Sequence, residues 1–369
     1  MERFGFVGLP NAGKSSLYNA LTGGSALAAP YAFATVDPNV GVAKVPDDRL
    51  DRLAEMARAR QTIHTSVQFT DIGGLVEGAH KGEGLGNRFL AGIREVDAIV
   101  YVLRAHTDAD MPGPTDPLDA LGVLEVELAM ADLDSAERQL DKRRRAAKAG
   151  DKAVLDEVAV LETAVASLER GVPIYRSELT AEQRALLKPI FLLTNKPVMA
   201  VVNVGEDQLG DVEAVVAPVR AALTSVAGSV GTDGPDDTVI GVCIQLEAEA
   251  AQLADDDRRE MLDAYELGEG ALPRFLRAAY HVLGLRTFFT VGEKEARAWT
   301  FRAGAKAPEC AGVIHTDFQR GFIRAETVRW DDLLAAGSWP AAREQGKVRS
   351  EGKEYVAQDG DVMEFRFNV

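Results

Sequence analysis

The 369-residue sequence is poor in the residues that build metal centres and disulfide frameworks. It has 2 cysteines, Cys243 and Cys310, and 5 histidines, with no metal-ligand spacing among them. Two cysteines cannot staple a fold of this length, and their scarcity fits a reducing compartment. Long apolar runs are missing too: none approaches the roughly 20 residues that a membrane-spanning helix needs. The start, "MERFGFVGLP", goes directly into strand-like sequence, with no charged-then-apolar leader. The sequence therefore reads as soluble and cytoplasmic, without a membrane partner. Positive charge is also short: 41 Lys and Arg face 57 Asp and Glu, a formal net charge of −16. That balance argues against DNA binding by the molecule as a whole and confines nucleic-acid contact to a local basic patch.

What is present is machinery for phosphate. Phe4 to Val7 is a short apolar strand. Gly8-Leu-Pro-Asn-Ala-Gly13-Lys14-Ser15 then fits G-x-x-x-x-G-K-[ST] in full, and a helix follows with Leu17 and Leu21 on one face. Glycine lets the backbone wrap closely around phosphate oxygens, and the helix start offers free N–H groups and a positive dipole end. Asn11, Ala12, Gly13, Lys14, Ser15 and Ser16 are thus the candidate cradle, with Lys14 serving the β- and γ-phosphates and Ser15 a Mg²⁺ ion. In "VQFTDIGGL", Val67 to Thr70 alternates like a strand, and Asp71 stands at its carboxyl end, the edge that faces ligand in open α/β sheets. Asp71-Ile-Gly-Gly74 fits Asp-x-x-Gly, with Asp71 on Mg²⁺ through water and the Gly74 N–H on the γ-phosphate. The six glycines from Asp71 to Gly86 suit either a segment ordered by the γ-phosphate or a passive loop. Between the two motifs, Thr35 is the candidate hydroxyl that completes the metal site. Ras-like enzymes place a water-orienting Gln just after Asp-x-x-Gly. Here Leu75 stands there and cannot hold a water, so hydrolysis uses another group, an ion or a partner, or is slow.

The base-reading loop is unusual. "TNKPVMAVVNVGEDQ" offers two asparagines. Asn195-Lys196 precedes the strand and falls at the wrong edge of the sheet. Asn203 ends the strand, so Asn203-Val-Gly-Glu206 is the better counterpart of the guanine-reading Asn-Lys-x-Asp. Glu206 is one methylene longer than the Asp that accepts from guanine, and Val204 replaces the Lys whose stem lines the base. A buried acceptor left without a donor costs about 1–3 kcal/mol, so guanine selectivity weakens. Cys243-Ile-Gln245 occupies the place of the usual Ser-Ala-Lys loop, which makes Gln245 a further nucleotide-side candidate.

From about Leu121 to Arg170 the pattern is helical. Leu121, Leu124 and Leu128 recur at helical spacing, and Val154, Val158, Leu161, Val165 and Leu168 form a heptad seam. Gly150-Asp151 reads as the tip between two antiparallel helices that project from the nucleotide domain. Arg143, Arg144 and Arg145 lie in a basic run near that tip: a solvated helix end or an RNA contact. Residues 281–369 hold 13 basic and 13 acidic residues and show short alternating strands at Thr287–Thr290, Arg297–Phe301 and Val362–Val369.

On "GLPNAGKSSLYNALT", "DIGGLVEGAHKGEGLGNRFL", "NVGE", "LRTFFTVGEKEARAWT", "GVIHTDFQRGFIRAE" and the "FRFNV" end, the chain resembles the Obg-like ATPase (YchF) family over nearly its whole length. The resemblance implies an α/β fold with a P-loop G-type nucleotide domain (1–120 and 190–280), an inserted helical coiled-coil arm (121–189) and a C-terminal β-rich TGS domain (281–369). It implies ATP over GTP, tied to the altered signature at Asn203 and Glu206. It also implies ribosome association, for which the arm arginines and the TGS domain are the candidate contacts. Asn11 matches the P-loop Asn that related potassium-activated enzymes use to hold K⁺, where a cation could stabilise developing charge; bracing the loop is the other role open to it. The chain departs from the family at Gly73, where Ala is usual. The loop "RAHTDADMPGPTDP" is also shorter than in many relatives and puts His106 out of register with their proposed catalytic His. Three functions compete on these residues: an ATP-hydrolysing switch on the ribosome, a GTPase with a degenerate base loop, and a nucleotide-dependent scaffold with incidental turnover.

Overall fold

The structure is a computed structural model. It describes residues 2–23, 40–72, 85–107, 113–148, 150–224 and 238–368, with the backbone alone for 85–89. Thr35, Gly73, Gly74 and Leu75 lie outside the described residues. The chain forms two compact units, one of residues 1–43 and 67–283, the other of 44–66 and 284–369.

The first seven strands in the chain are β1 (Arg3–Val7), β2 (Val40–Lys44), β3 (Thr62–Ile63), β4 (Ser66–Asp71), β5 (Ala98–Arg104), β6 (Val198–Asn203) and β7 (Val239–Val242). Six of them form the sheet of the first unit in the order β2-β4-β1-β5-β6-β7. β4, β1, β5, β6 and β7 run parallel. All seven residues of β5 are buried, as expected for an "AIVYVLR" run with both faces covered. Because these strands are parallel, their carboxyl ends share one edge. The register sets Phe6 beside Asp71, Val7 beside Tyr101, Arg104 beside Asn203 and Asn203 beside Val242. On one face Phe6 stacks on Phe69 at 5.3 Å, and Phe275 of the helix Ala271–Val282 packs on Phe69 at 5.6 Å.

Helices α1 (Lys14–Gly23), α2 (Asp48–Ala57), α3 (Leu85–Glu95), α4 (Pro117–Ala147) and α5 (Lys152–Glu169) follow in order. Asp116 caps α4 by accepting from the N–H groups of Leu118 and Asp119, and Pro117 opens the helix where a missing N–H does no harm. The tip is where the sequence puts it: Gly150 has φ of 78°, and Asp151 caps α5. The seam differs in part from the expectation. Ala136 and Leu140 of α4 pack with Leu161, Val165 and Leu168 of α5. Leu121, Leu124 and Leu128, expected in the projecting pair, instead lie in the core of the first unit with Tyr101 and Leu103. A helical period shows that a face is buried and leaves open against what.

Two buried polar clusters fix the base of the arm. Glu125 accepts from the Tyr175 hydroxyl at 2.5 Å and from Arg176 Nε at 2.8 Å. Asp132 accepts from the N–H groups of Leu193 and Thr194 and from the Thr194 hydroxyl, each at 2.8 Å, so the chain returning to β6 is pinned to α4.

The second unit adds β8 (Leu285–Val291), β9 (Ala296–Arg302), β10 (Phe322–Arg329), β11 (Arg349–Glu351) and β12 (Asp361–Phe367), in the order β11-β10-β12-β8-β9-β3. The sequence reading has strands at the places of β8, β9 and β12. It lacks β10, whose alternation is broken by a register shift between Phe322 and Arg324, and the short β11. Residues 44–66, read from sequence as part of the nucleotide domain, belong to this unit. Leu50, Leu53 and Ala54 of α2 pack against Phe289, Val328, Leu333 and Val362, and Arg49 pairs with Asp359 at 2.6 Å.

Candidate nucleotide site

The loop between β1 and α1 has geometry that only its own residues allow. A Cβ at Gly8 would sit 2.5 Å from the Val102 carbonyl oxygen. Gly13 has φ of +100°, and its Cβ would lie 2.8 Å from Asn203 Nδ2. Asn11 adopts φ of 62°, a left-handed conformation that Asn tolerates better than most residues. The N–H groups of the first helical turn have no intrahelical partners, so Ser15 and Ser16 at the start of α1 bring donors to this edge.

Lys14 is 7 % exposed. Its Nζ donates to the carbonyls of Gly8 at 3.0 Å and Leu9 at 2.8 Å, spanning the loop. Burial pushes its pKa down, and the charge of Asp71 partly opposes that. The Ser15 hydroxyl donates to Asp71 Oδ2 at 2.7 Å, so the two residues expected to share a metal are in direct contact. Asp71 Oδ1 is buried and has no hydrogen-bond partner among the described residues. A hydroxyl and a carboxylate with a spare buried oxygen are hard donors that fit Mg²⁺, an ion that takes few protein ligands beside phosphate oxygens. Among the described residues no group of three or more His, Cys, Asp or Glu could hold a metal ion.

Asn203 is 7 % exposed and has both ends of its amide engaged within the protein. Nδ2 donates to the Ala12 carbonyl at 3.1 Å, and Oδ1 accepts from the Ile244 N–H at 3.3 Å. It is a strut between the phosphate loop and the start of the helix Ile244–Ala250. Val204, expected beside the base, is 1 % exposed and lies in the hydrophobic core. Its N–H continues the ladder to Val242 at 3.0 Å, which aims its side chain inward. Glu206 and Gln245 are exposed on the same carboxyl side of the sheet, on the loop after β6 and the helix after β7.

Two supporting residues escaped the sequence reading. Gln208 accepts from the Gly205 N–H at 2.8 Å and donates to the Ala105 carbonyl at 3.1 Å, joining the loops after β5 and β6. Arg104 is 4 % exposed and donates through Nε to the His106 carbonyl at 2.9 Å. The Gly205-x-x-Gln208 spacing is a signal for the first; nothing in the sequence marks the second. His106 itself stands beside the base-side loop, where a Cβ on Gly205 would lie 3.1 Å from His106 Cβ. On the arm, Arg143 pairs with Glu157 and Arg144 with Glu162, both at 2.8 Å, while Arg145 is exposed.

Comparison with known proteins bears on the whole chain. A family model described as a 50S ribosome-binding GTPase matches residues 3–203, and the YchF-GTPase_C model, described as a protein of unknown function, matches residues 285–368. The ribosome-binding ATPase YchF of Bacillus subtilis is 47% identical, over 99% of each chain. The chain belongs to the YchF family. The ribosome-binding ATPase YchF of Escherichia coli O157:H7 is 44% identical, again over 99% of each. A solved structure of the YchF GTPase of Schizosaccharomyces pombe superposes with a TM-score of 0.85 at 32% identity, covering 99% of this chain and 97% of that one. The YchF fold thus extends over both units: a P-loop GTPase-type α/β domain with its helical arm, and the family's own C-terminal domain. Among the described residues no helix is long and apolar enough to cross a membrane.

Proposed function

We infer that the chain is a cytoplasmic, ribosome-associated nucleotide switch that binds ATP with Mg²⁺ and hydrolyses it slowly to ADP and phosphate. The observation that carries this reading is the Ser15–Asp71 hydrogen bond beside Lys14, with the second Asp71 oxygen buried and free of protein partners among the described residues. The names of the relatives pair ribosome binding with ATP hydrolysis. Residues 1–120 and 190–280 form the nucleotide domain in this reading, with the arm at 121–189 and a TGS domain at 281–369. The 44–66 segment supports the TGS unit.

The roles follow from chemistry and position. Lys14 leaves its loop carbonyls for the β- and γ-phosphate oxygens and balances charge that builds there as water attacks in line. Ser15, Thr35 and Asp71 hold Mg²⁺, which when bound neutralises charge on the β- and γ-oxygens. The backbone N–H of Gly74 marks the γ-phosphate. Leu75 cannot orient the attacking water, so turnover depends on K⁺ held by Asn11 or on the ribosome. Asn203 fixes the cradle, and base preference falls to Glu206, Gln245 and the backbone at Val204. Arg143, Arg144 and Arg145 supply the arm's contact to the ribosome. Their surface pairs with Glu157 and Glu162 are worth about 1 kcal/mol or less, weak enough to exchange for phosphate.

Titration calorimetry with ATP and GTP in Mg²⁺ tests the substrate. ATP should bind at least tenfold more tightly, about 1.4 kcal/mol. Equal or tighter GTP would replace this reading with that of a GTPase, which the matching GTPase family model favours.

A further inference from the structure

The C-terminal unit carries an open cleft of about 450 Å³ lined by Ile323, Arg324, Phe365, Arg366 and Phe367. Apolar side chains left in water form part of its wall. Ile323 is 55 % exposed and Phe367 37 %. Phe367 stacks on Phe318 with ring centroids 3.9 Å apart and planes within 24°, and His315 continues the row at 5.8 Å. Guanidinium groups border these rings. Arg324, Arg343 and Arg366 all converge on Glu326, whose side chain is 13 % exposed, while each arginine side chain is 53 % exposed. The shared carboxylate lies beneath its three partners, and their outer edges make the surface. In a chain of net charge −16, residues 281–369 balance 13 basic against 13 acidic, so a polyanion meets less repulsion here than elsewhere.

We propose that this face binds single-stranded ribosomal RNA, with unstacked bases laid on Phe367 and Ile323 and the flanking phosphates on Arg324 and Arg366. Flat rings bordered by arginine are how proteins hold splayed bases, whereas a duplex hides its base faces and is gripped by shape. The proposal rests on the ribosome reading above and specifies which molecule of the ribosome this unit meets.

The test uses the full chain, a fluorescein-labelled ten-nucleotide oligouridylate followed by anisotropy, and 70S ribosomes followed by cosedimentation. The wild-type chain should bind the oligonucleotide. Phe367→Ala should weaken binding about tenfold, the loss of one stacked base. Arg324→Gln with Arg366→Gln should lower the slope of log K against log salt by about 1.4, two phosphates at about 0.7 each. The arginine pair is exposed, so its melting temperature should match wild type and separate lost binding from lost folding. Failure of the wild type to bind, or unchanged binding and slope in the variants, overturns the proposal. Variants that lose the ribosome while the wild type ignores the oligonucleotide would assign the face to a ribosomal protein, which also overturns it. A wild type that binds the oligonucleotide but not ribosomes leaves an RNA-binding face standing and removes the ribosome reading beneath it.

Discussion

Asn203→Ala separates two roles for the residue that begins the altered base signature. The side chain is 7 % exposed, and its loss strips partners from the Ala12 carbonyl and the Ile244 N–H. A buried polar group left unpaired costs about 1–3 kcal/mol. Two such groups at an edge that water can partly reach give about 2–4 kcal/mol, divided between fold stability and the order of the phosphate loop. If half of it reaches binding, affinity falls between about fivefold and about thirtyfold, since about 1.4 kcal/mol is a factor of ten. The strut acts on loop backbone, so ATP, GTP and inorganic triphosphate should weaken by the same factor. Calorimetry on wild type and variant with all three ligands measures this. Asn203→Asp keeps an acceptor for Ile244 but turns a carboxylate toward the Ala12 carbonyl, and should bind no better than Asn203→Ala. Loss confined to ATP, with triphosphate unaffected, would show that Asn203 reads the base and would refute the strut.

Three further outcomes are expected. Asp71→Asn should bring ATP affinity with and without Mg²⁺ close together; a tenfold or larger Mg²⁺ effect that survives the change would remove Asp71 from the metal site. Gly13→Ala places a Cβ 2.8 Å from Asn203 Nδ2 at φ of +100°, strain worth about 1–3 kcal/mol. Chemical denaturation of the Gly13→Ala, Asn203→Ala double variant should therefore show less than the sum of the single losses, and strict additivity would deny the contact. Burial pushes the Asp132 carboxyl up to about 6, against the hydrogen bonds from Thr194 and Leu193. A folded pKa above the unfolded one gives a contribution that is full below about pH 4 and lost as pH rises through about 6, a span of about 3 kcal/mol. Asp132→Asn has nothing to titrate and should gain on wild type in urea melts between about pH 4 and 7; a gap moving the other way would mean that the hydrogen bonds outweigh burial.

The site was legible where residue type and order suffice. A strand, the G-x-x-x-x-G-K-S run and a helix leave one arrangement for Lys14 and Ser15, and Asp71 stands at a strand's carboxyl end, where its carboxylate accepts from the Ser15 hydroxyl. What sequence concealed was the identity of partners. The stripe of Leu50, Leu53 and Ala54 announces a buried helix face but not that its partners lie more than 200 residues away at Phe289 and Val362. Val204 fills the place of the Lys whose stem lines the base, yet one more ladder bond carries it into the core. Asn203 could be placed at the right edge but its two bonds could not, since Ala12 and Ile244 are neighbours only in three dimensions. β10 was missed for a local reason, a bulge that breaks the alternation.

The 31-residue helix α4 belongs to two structures at once. Its first half is part of the core under the sheet, and its second half is one strand of the arm. At 1.5 Å per residue it is about 46 Å long, with about 22 Å beyond Asp132. Gly122 is its only glycine, and its only proline is at the start. Such an element transmits rotation as a lever does: a tilt of about 5° among the core residues would sweep the tip by about 2 Å, on the arm length just given. The arginines near the tip therefore report on the packing around Leu121 and Leu124, and an adjustment at the sheet too small to alter a single contact there would still be felt at the far end.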